Sequence, residues 1–189
     1  GTLSDAVFAA SLEDVLAGVG PEIYRDPVRF FAATHPSDGL KATLDESLGR
    51  ATGARPDASP LLRLETNLGG GKTHNLIALL HAARGDLPAN LAPEFVDPKV
   101  LPSEPIEQVA AFVGTSVGGG AFPDIDGVAA QTIWGYLALQ LGGLAAYEKV
   151  RTDDEARTAP GANELRAIFG GRPTIIMLDE LARYLQVAE

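Results

Sequence analysis

Apolar positions along this chain switch between helical and extended spacing, and the switches predict its elements. Up to about residue 57 they recur in short helical bursts. Ser11 reads as the cap of a helix from Leu12 to Ala17, and Asp26-Pro27 opens a second that carries Phe30, Phe31 and Ala32. Ser37 or Asp38 opens a third through Leu40, Leu44 and Leu48. The turn-rich stretch from Thr52 to Pro60 marks a boundary. Beyond it, Pro60-Leu61-Leu62-Arg63-Leu64-Glu65 fits a short buried or half-buried strand. Helical spacing returns between Asn75 and Arg84 with Leu76, Ile77, Leu79, Leu80 and Ala83, and Gly85 supplies a stop. A proline-punctuated connection from Leu87 to Pro105 leads to a strand, Gln108 to Val113, that ends at Gly114-Thr115-Ser116. Residues 117–127 read as a glycine-rich loop, and a helix follows from about Val128 to Leu141. That helix carries Ile133, Trp134, Leu137 and Leu141 on one face, and Gly142-Gly143 closes it. Gly170-Gly171-Arg172-Pro173 introduces a last apolar run, Thr174 to Leu178, with a helix from Leu181 to Val187 behind it. Two parts are expected: a helical segment over residues 1–57 and an α/β core over residues 58–189.

The junction between the strand at 60–65 and the helix at 75–84 carries chemistry. Thr66-Asn67-Leu68-Gly69-Gly70-Gly71-Lys72-Thr73-His74 fits the phosphate-loop pattern Gly-x-x-x-x-Gly-Lys-[Ser/Thr], with Thr66 in the place of the first glycine. Strand, glycine loop, helix is the order such a loop requires. The N–H groups of Gly69 to Thr73 then face an anion at a helix N-terminus, where unpaired donors and the helix dipole favour negative charge. Glycine permits positive φ and close approach of phosphate oxygens. Lys72 is placed to reach the β- and γ-phosphates, and the Thr73 hydroxyl to coordinate Mg²⁺. The candidate nucleotide-binding residues are Asn67, Leu68, Gly69, Gly70, Gly71, Lys72, Thr73 and His74. The plain alternative is a glycine-rich turn that binds nothing.

A second motif weighs against that alternative. The run Thr174-Ile175-Ile176-Met177-Leu178 ends in Asp179-Glu180, the pattern of a Walker B strand. A buried parallel strand is continuously apolar, and ligands of open α/β sheets bind at its carboxyl end. In this reading Asp179 holds Mg²⁺, usually through water, and Glu180 orients and deprotonates the attacking water. Taken alone, the two carboxylates read equally well as a cap for the helix that follows. The candidate catalytic residues are Glu180 and Lys72, the metal ligands Thr73 and Asp179, and the expected cofactors ATP and Mg²⁺. Adenine is favoured because the Asn-Lys-x-Asp guanine reader of small GTPases is absent.

Other residues have competing uses. His74 either touches a phosphate or faces solvent in the first helical turn. His81 reads as surface, and His35 precedes Pro36 in a turn. Three dispersed histidines without His-Glu-x-x-His spacing argue against zinc. Thr115 ends a strand on the ligand side and reads either as a γ-phosphate or water contact or, more simply, as a plain strand-to-loop hydroxyl. Trp134 reads as core packing, Asp153-Asp154-Glu155 as a solvated surface, and Glu65 as lining the loop.

Composition narrows the class. The chain has 189 residues, 46% of them hydrophobic, enough to build a core. Cysteine is absent, which excludes disulfides and thiolate metal sites and fits a cytoplasmic protein. Gln140 and Gly142-Gly143 break the longest apolar stretches well short of the roughly 18 residues a membrane span needs, and no membrane partner is expected. A formal charge of −10 disfavours general adhesion to nucleic acid, although a local basic patch would leave such contact open.

Motifs spread along the chain resemble one family. They are Asp26-Pro27-Val28-Arg29-Phe30-Phe31-Ala32-Ala33-Thr34-His35-Pro36-Ser37-Asp38-Gly39-Leu40-Lys41, the Gly-Gly-Gly-Lys-Thr-His loop at 69–74, the helix Thr132 to Gly143, Ala159-Pro160-Gly161, and Asp179-Glu180-Leu181. Together they resemble the entry region of the large predicted ATPases catalogued as domain of unknown function 499. The resemblance implies an AAA+/RecA-like P-loop NTPase of the additional-glutamate class: a three-layer α/β sandwich with an N-terminal helical segment. It makes Thr66 a family trait. It also implies a much longer protein and partners in DNA modification or defence; the sequence leaves the oligomeric state open, a homo-oligomer among the options.

ATPases of that class resemble a 5-1-4-3-2 strand order, so the sheet is expected to be incomplete. The strand between Leu61–Glu65 and Thr174–Leu178, the polar sensor and the arginine finger are expected beyond Glu189, in the rest of a longer ATPase. The leading function is ATP binding and hydrolysis that drives a remodelling step. The alternative is a nucleotide-gated interaction module in which binding orders residues 117–127 without significant turnover.

Overall fold

Capping chemistry starts the first helices. Ser11 Oγ accepts from the Asp14 N–H at 3.3 Å and opens α1 (Leu12–Leu16). After α2 (Glu22–Arg25), Asp26 Oδ1 accepts from the Val28 and Arg29 N–H groups at 2.9 and 3.2 Å, with Pro27 as the first residue of α3 (Pro27–Ala33). Ser37 Oγ accepts from Leu40 N–H at 3.3 Å and opens α4 (Asp38–Thr52), which ends at Gly53 with φ 78°. The computed structural model describes residues 11–64, 71–115 and 122–187, and they fall into two compact units, residues 1–106 and 107–189. The helices before residue 57 and the helix after the glycine loop thus share one unit.

In the first unit, α5 (Lys72–Ala83) is packed by α1, α3 and α4. Ile77, Leu80, Ala82 and Ala83 of α5 are fully buried, as are Leu40, Leu44 and Leu48 of α4. Each large apolar side chain removed from water contributes about 1.5–3 kcal/mol, so this helix face is what fixes α5 in place. Phe30 and Phe31 meet edge to face at 5.3 Å, and Phe31 meets Phe95 at 5.1 Å. Phe95 belongs to α6 (Ala92–Phe95), which is followed by a 3₁₀ turn over Pro98–Val100. The unit closes with Ile106 N–H donating to Ala83 C=O at 2.8 Å.

The strand expected at 60–65 does not form over its described residues. Residues 61–64 are irregular, Leu61 is 79% exposed, and Glu65 lies outside the described residues. No strand among the described residues pairs with this segment. A lone extended run cannot satisfy its backbone groups, so β propensity alone does not make it a strand.

In the second unit, β1 (Gln108–Val113) and β4 (Thr174–Asp179) pair in parallel, with Gln108 opposite Thr174 and Val113 opposite Asp179. Gln108 pins that register. Its buried amide donates to Ile168 C=O at 3.2 Å and accepts from Thr174 Oγ1 at 2.8 Å. β1 is buried along its whole length. β4 alternates, with Ile175, Met177 and Asp179 buried and Ile176 and Leu178 exposed, whereas its unbroken apolar sequence led to an expectation of burial on both faces. β1 is its partner on one side among the described residues.

The main helix of this unit, α7 (Ile133–Tyr147), lies against β1 and starts later than its apolar pattern suggested. Residues expected to lead into it form a hairpin instead: β2 (Asp124–Ile125) pairs antiparallel with β3 (Val128–Ala129). Asp126 and Gly127 both take positive φ, 55° and 81°, as a two-residue type I′ turn requires. Gly142-Gly143 does not end α7 but interrupts it, with φ −166° and 59°, and helical structure resumes through Tyr147. On the strand side, Gln140 turns its amide onto Ala111. Nε2 donates to Ala111 C=O and Oε1 accepts from Ala111 N–H, both at 2.8 Å.

The acidic run at 153–155 is not simply solvated. Asp154, on α8 (Arg151–Glu155), is 1% exposed and sits at the start of α7. Its carboxylate accepts from Thr132 N–H at 2.8 Å, Thr132 Oγ1 at 2.7 Å, Gln131 N–H at 3.0 Å and Tyr147 OH at 2.9 Å. Desolvation, reinforced by the bond to Asp154, pushes the Tyr147 hydroxyl up to about 12, so it stays a donor. A Cβ on Gly135 would lie 2.3 Å from Asp154 Oδ1, which explains glycine one turn into this helix. Trp134 is correspondingly not core: it is 38% exposed, and Tyr136 and Leu137 are buried instead. The remaining helices are α9 (Ala162–Phe169) and α10 (Leu181–Val187). No helix among the described residues is long and apolar enough to cross a membrane.

Candidate functional site

The first group of candidate residues stands at the start of α5. Gly71 takes φ 74° and ψ 22°, a left-handed conformation that glycine adopts without a Cβ penalty, and the next residue is already helical. Lys72 and Thr73 are therefore the first two residues of a 12-residue helix, three positions ahead of its apolar stripe. Among the described residues nothing lies within 4 Å of a Cβ at Gly71, and its left-handed backbone conformation calls for glycine. The first N–H groups of such a helix have no intrahelical partners and the dipole there favours anions. Thr66, Asn67, Leu68, Gly69 and Gly70 lie outside the described residues, as does Glu65.

His74 is half-buried against the α3 segment. Its ring stacks on Phe30, with centroids 4.5 Å apart and planes at 28°, and Nε2 lies 2.9 Å from Thr34 Oγ1. Burial holds its pKa below the ordinary histidine value. His81, expected at the surface, is 3% exposed; its Nε2 meets Tyr24 C=O at 2.7 Å. Burial lowers the His81 pKa more than that carbonyl raises it, so the ring is neutral and donates through Nε2–H. Both histidines are spaced two turns apart on α5 and face the aromatic residues of the α2–α3 segment. The Phe30-Phe31 pair was the sequence signal for this, because two adjacent aromatics on a short helix need a partner surface.

The second group stands at the carboxyl end of β4. Asp179 is buried, and its Oδ1 accepts from the Glu180 N–H at 3.0 Å, which fixes the carboxylate's orientation. Glu180 is exposed and takes φ 52°, uncommon for a residue with a side chain. Its carbonyl accepts from Arg183 N–H at 3.0 Å as α10 begins. Beside it, Gly114 N–H donates to Asp179 C=O at 2.9 Å and extends the parallel ladder one residue past β1. A Cβ on Gly114 would sit 2.2 Å from the Glu180 carbonyl oxygen and 3.2 Å from Tyr184 Cβ. The Tyr184 ring meets Phe112 edge to face at 5.1 Å, which holds α10 against the strand. Thr115, at the same strand end, is exposed.

The turn that presents Glu180 thus depends on the missing side chain at 114. Gly114→Ala is expected to destabilise the second unit by about 1–3 kcal/mol through overpacking against backbone. Urea unfolding followed by the fluorescence of Trp134 measures it, and a midpoint equal to the parent's would contradict the close approach.

These two groups belong to different units, and each is defined by its own geometry. Among the described residues, no group of three or more His, Asp or Glu side chains is placed to hold a metal. Comparison with curated proteins and with solved structures found no match. Residues 2–113 and 115–189 match the model of the DUF499 N-terminal domain, and the chain belongs to that family.

Proposed function

We propose that this chain is an ATP-binding and ATP-hydrolysing module of the AAA+-like P-loop class, with the α/β core of an additional-glutamate ATPase. The observation that carries the proposal is the start of α5, where left-handed Gly71 delivers Lys72 and Thr73 as the first helical residues. N–H groups at a helix start, the helix dipole and a lysine cation are the elements that hold nucleotide phosphates. Asn67, Leu68, Gly69 and Gly70 would supply the rest of the loop, on the sequence pattern.

Magnesium in nucleotide sites takes one or two protein oxygens and fills its octahedron with phosphate oxygens and water. The Thr73 hydroxyl and the Asp179 carboxylate are donors of that kind, and Asp179 has its orientation fixed by the Glu180 N–H. Mg²⁺, if held there, would supply charge neutralisation to phosphoryl transfer. Glu180, exposed at the strand end, is the proposed base for the attacking water. A cytoplasmic setting, where ATP is available, agrees with the cysteine-free sequence. Assembly with further copies of the chain is left open by the sequence, and partnership with DNA-modification or defence proteins rests on the family resemblance alone.

Mg·ATP at one hundred times its Kd adds about 2.7 kcal/mol to stability, or roughly 5–10 °C in Tm for a protein of this size. That shift is expected for the parent chain and is expected to vanish in Lys72→Ala. A parent chain whose Tm ignores Mg·ATP at millimolar concentration would sink the proposal.

A further inference from the structure

We infer that His74 is a positioning residue of the proposed phosphate loop, held by Phe30 and Thr34 so that the first turn of α5 presents Lys72 and Thr73 in one orientation. This rests on the nucleotide-binding proposal and extends it to residues 24–34, which that proposal leaves without a role.

The hydrogen-bond chain assigns the protons. Thr34 Oγ1 lies 2.6 Å from Phe30 C=O, which can only accept, so the hydroxyl proton goes there. Thr34 Oγ1 is then the acceptor in its 2.9 Å contact with His74, and Nε2 carries the hydrogen. His74 therefore ties α5 to α3 through this bond and the stacked Phe30 ring.

The N-cap of α5 is Gly71, which has no side chain to offer the helix start, in contrast to Ser11, Asp26 and Ser37 at α1, α3 and α4. Glycine also carries the largest conformational entropy, so the turn that bears Lys72 is intrinsically loose. His74, one residue beyond Thr73, has its face on Phe30 and its donor on Thr34, with Tyr24 edge-on at 6.4 Å. Two turns later His81 repeats the grip, through Tyr24 C=O at 2.7 Å and the Phe30 ring at 5.4 Å. The segment from Tyr24 to Thr34 and the helix behind the glycine loop thus form one mechanical element. Their joint presence in the sequence has a physical reason.

Calorimetric titration of the full chain with Mg·ATP tests this, with Tm measured alongside. Thr34→Val removes the acceptor at nearly constant shape and is expected to weaken binding about tenfold. Thr34→Ser keeps the acceptor and is expected to bind within about twofold of the parent. His74→Phe keeps an aromatic ring but not the donor, and gives a loss like that of Thr34→Val by a second route. Leu48→Val, a core substitution on α4, lowers Tm and leaves affinity unchanged. Thr34→Val binding as tightly as the parent, or Leu48→Val losing as much affinity as Thr34→Val, overturns the inference while the nucleotide site stands. A parent chain that binds no Mg·ATP overturns the nucleotide proposal and this inference with it.

Discussion

Asp154→Ala lowers the stability of the second unit by about 3–5 kcal/mol, the range for removing one member of a buried charged network. The carboxylate is 1% exposed and accepts from the backbone of Gln131 and Thr132 and from the hydroxyls of Thr132 and Tyr147. Alanine leaves these donors buried without an acceptor, each at a desolvation cost of about 1–3 kcal/mol where water does not enter. It also removes a negative charge from the N-terminus of α7, where the helix dipole favours one. Asp154→Asn is expected to fall between parent and alanine, because its oxygen keeps some bonds while its amide hydrogens face donors. Trp134 stands at this helix start and is the only tryptophan, so its fluorescence reports the transition directly in urea. An Asp154→Ala midpoint within about 0.5 kcal/mol of the parent's stability would show that the network is not formed.

On the proposed ATPase reading, Glu180→Gln is expected to suppress turnover and spare Mg·ATP binding. General-base groups contribute about 10²–10⁴ in rate, and glutamine is isosteric but has no basic oxygen at neutral pH. Mg·ATP affinity is expected to stay within about threefold of the parent's while hydrolysis falls at least a hundredfold. The substitution leaves the positive φ at 180 and the Gly114 contact in place, since both belong to the backbone. Hydrolysis at the parent rate in Glu180→Gln would remove Glu180 from the chemistry. Loss of hydrolysis with full biological output retained would instead favour the nucleotide-gated module, which binds and signals without turnover.

Local chemistry was the legible part of the sequence. Ser11, Asp26 and Ser37 announced helix starts because a cap acts within three residues, and β1 announced itself by an apolar run of strand length. Long-range pairing was not legible. Residues 61–64 have strand composition, but a strand is defined by its neighbour, and none among the described residues pairs there. Asp154 looked like one member of a charge run, because nothing local shows that residues 131 and 132 fold back onto it. The hairpin at 124–129 does have a local signature: Asp126-Gly127 between Ile125 and Val128 is a type I′ turn signal. At the candidate site, Lys72, Thr73, Asp179 and Glu180 were found by motif. The ties of His74 to Phe30 and Thr34 join residues more than 35 positions apart and leave no local signature.

The amide of Gln140 gives the parallel pair a direction. In a strand, the N–H and C=O of one residue point to the same side, and those of the next residue to the other. Gly114 bonds toward β4, so Ala111 points away from it, into the two hydrogen bonds of Gln140. A foreign strand that approached β1 from that side would first have to displace both bonds and then part β1 from the helix that carries them. Bare parallel edges invite adhesion between molecules. One side chain here acts as a stop for the sheet, closing one flank to indiscriminate growth at the cost of a single residue.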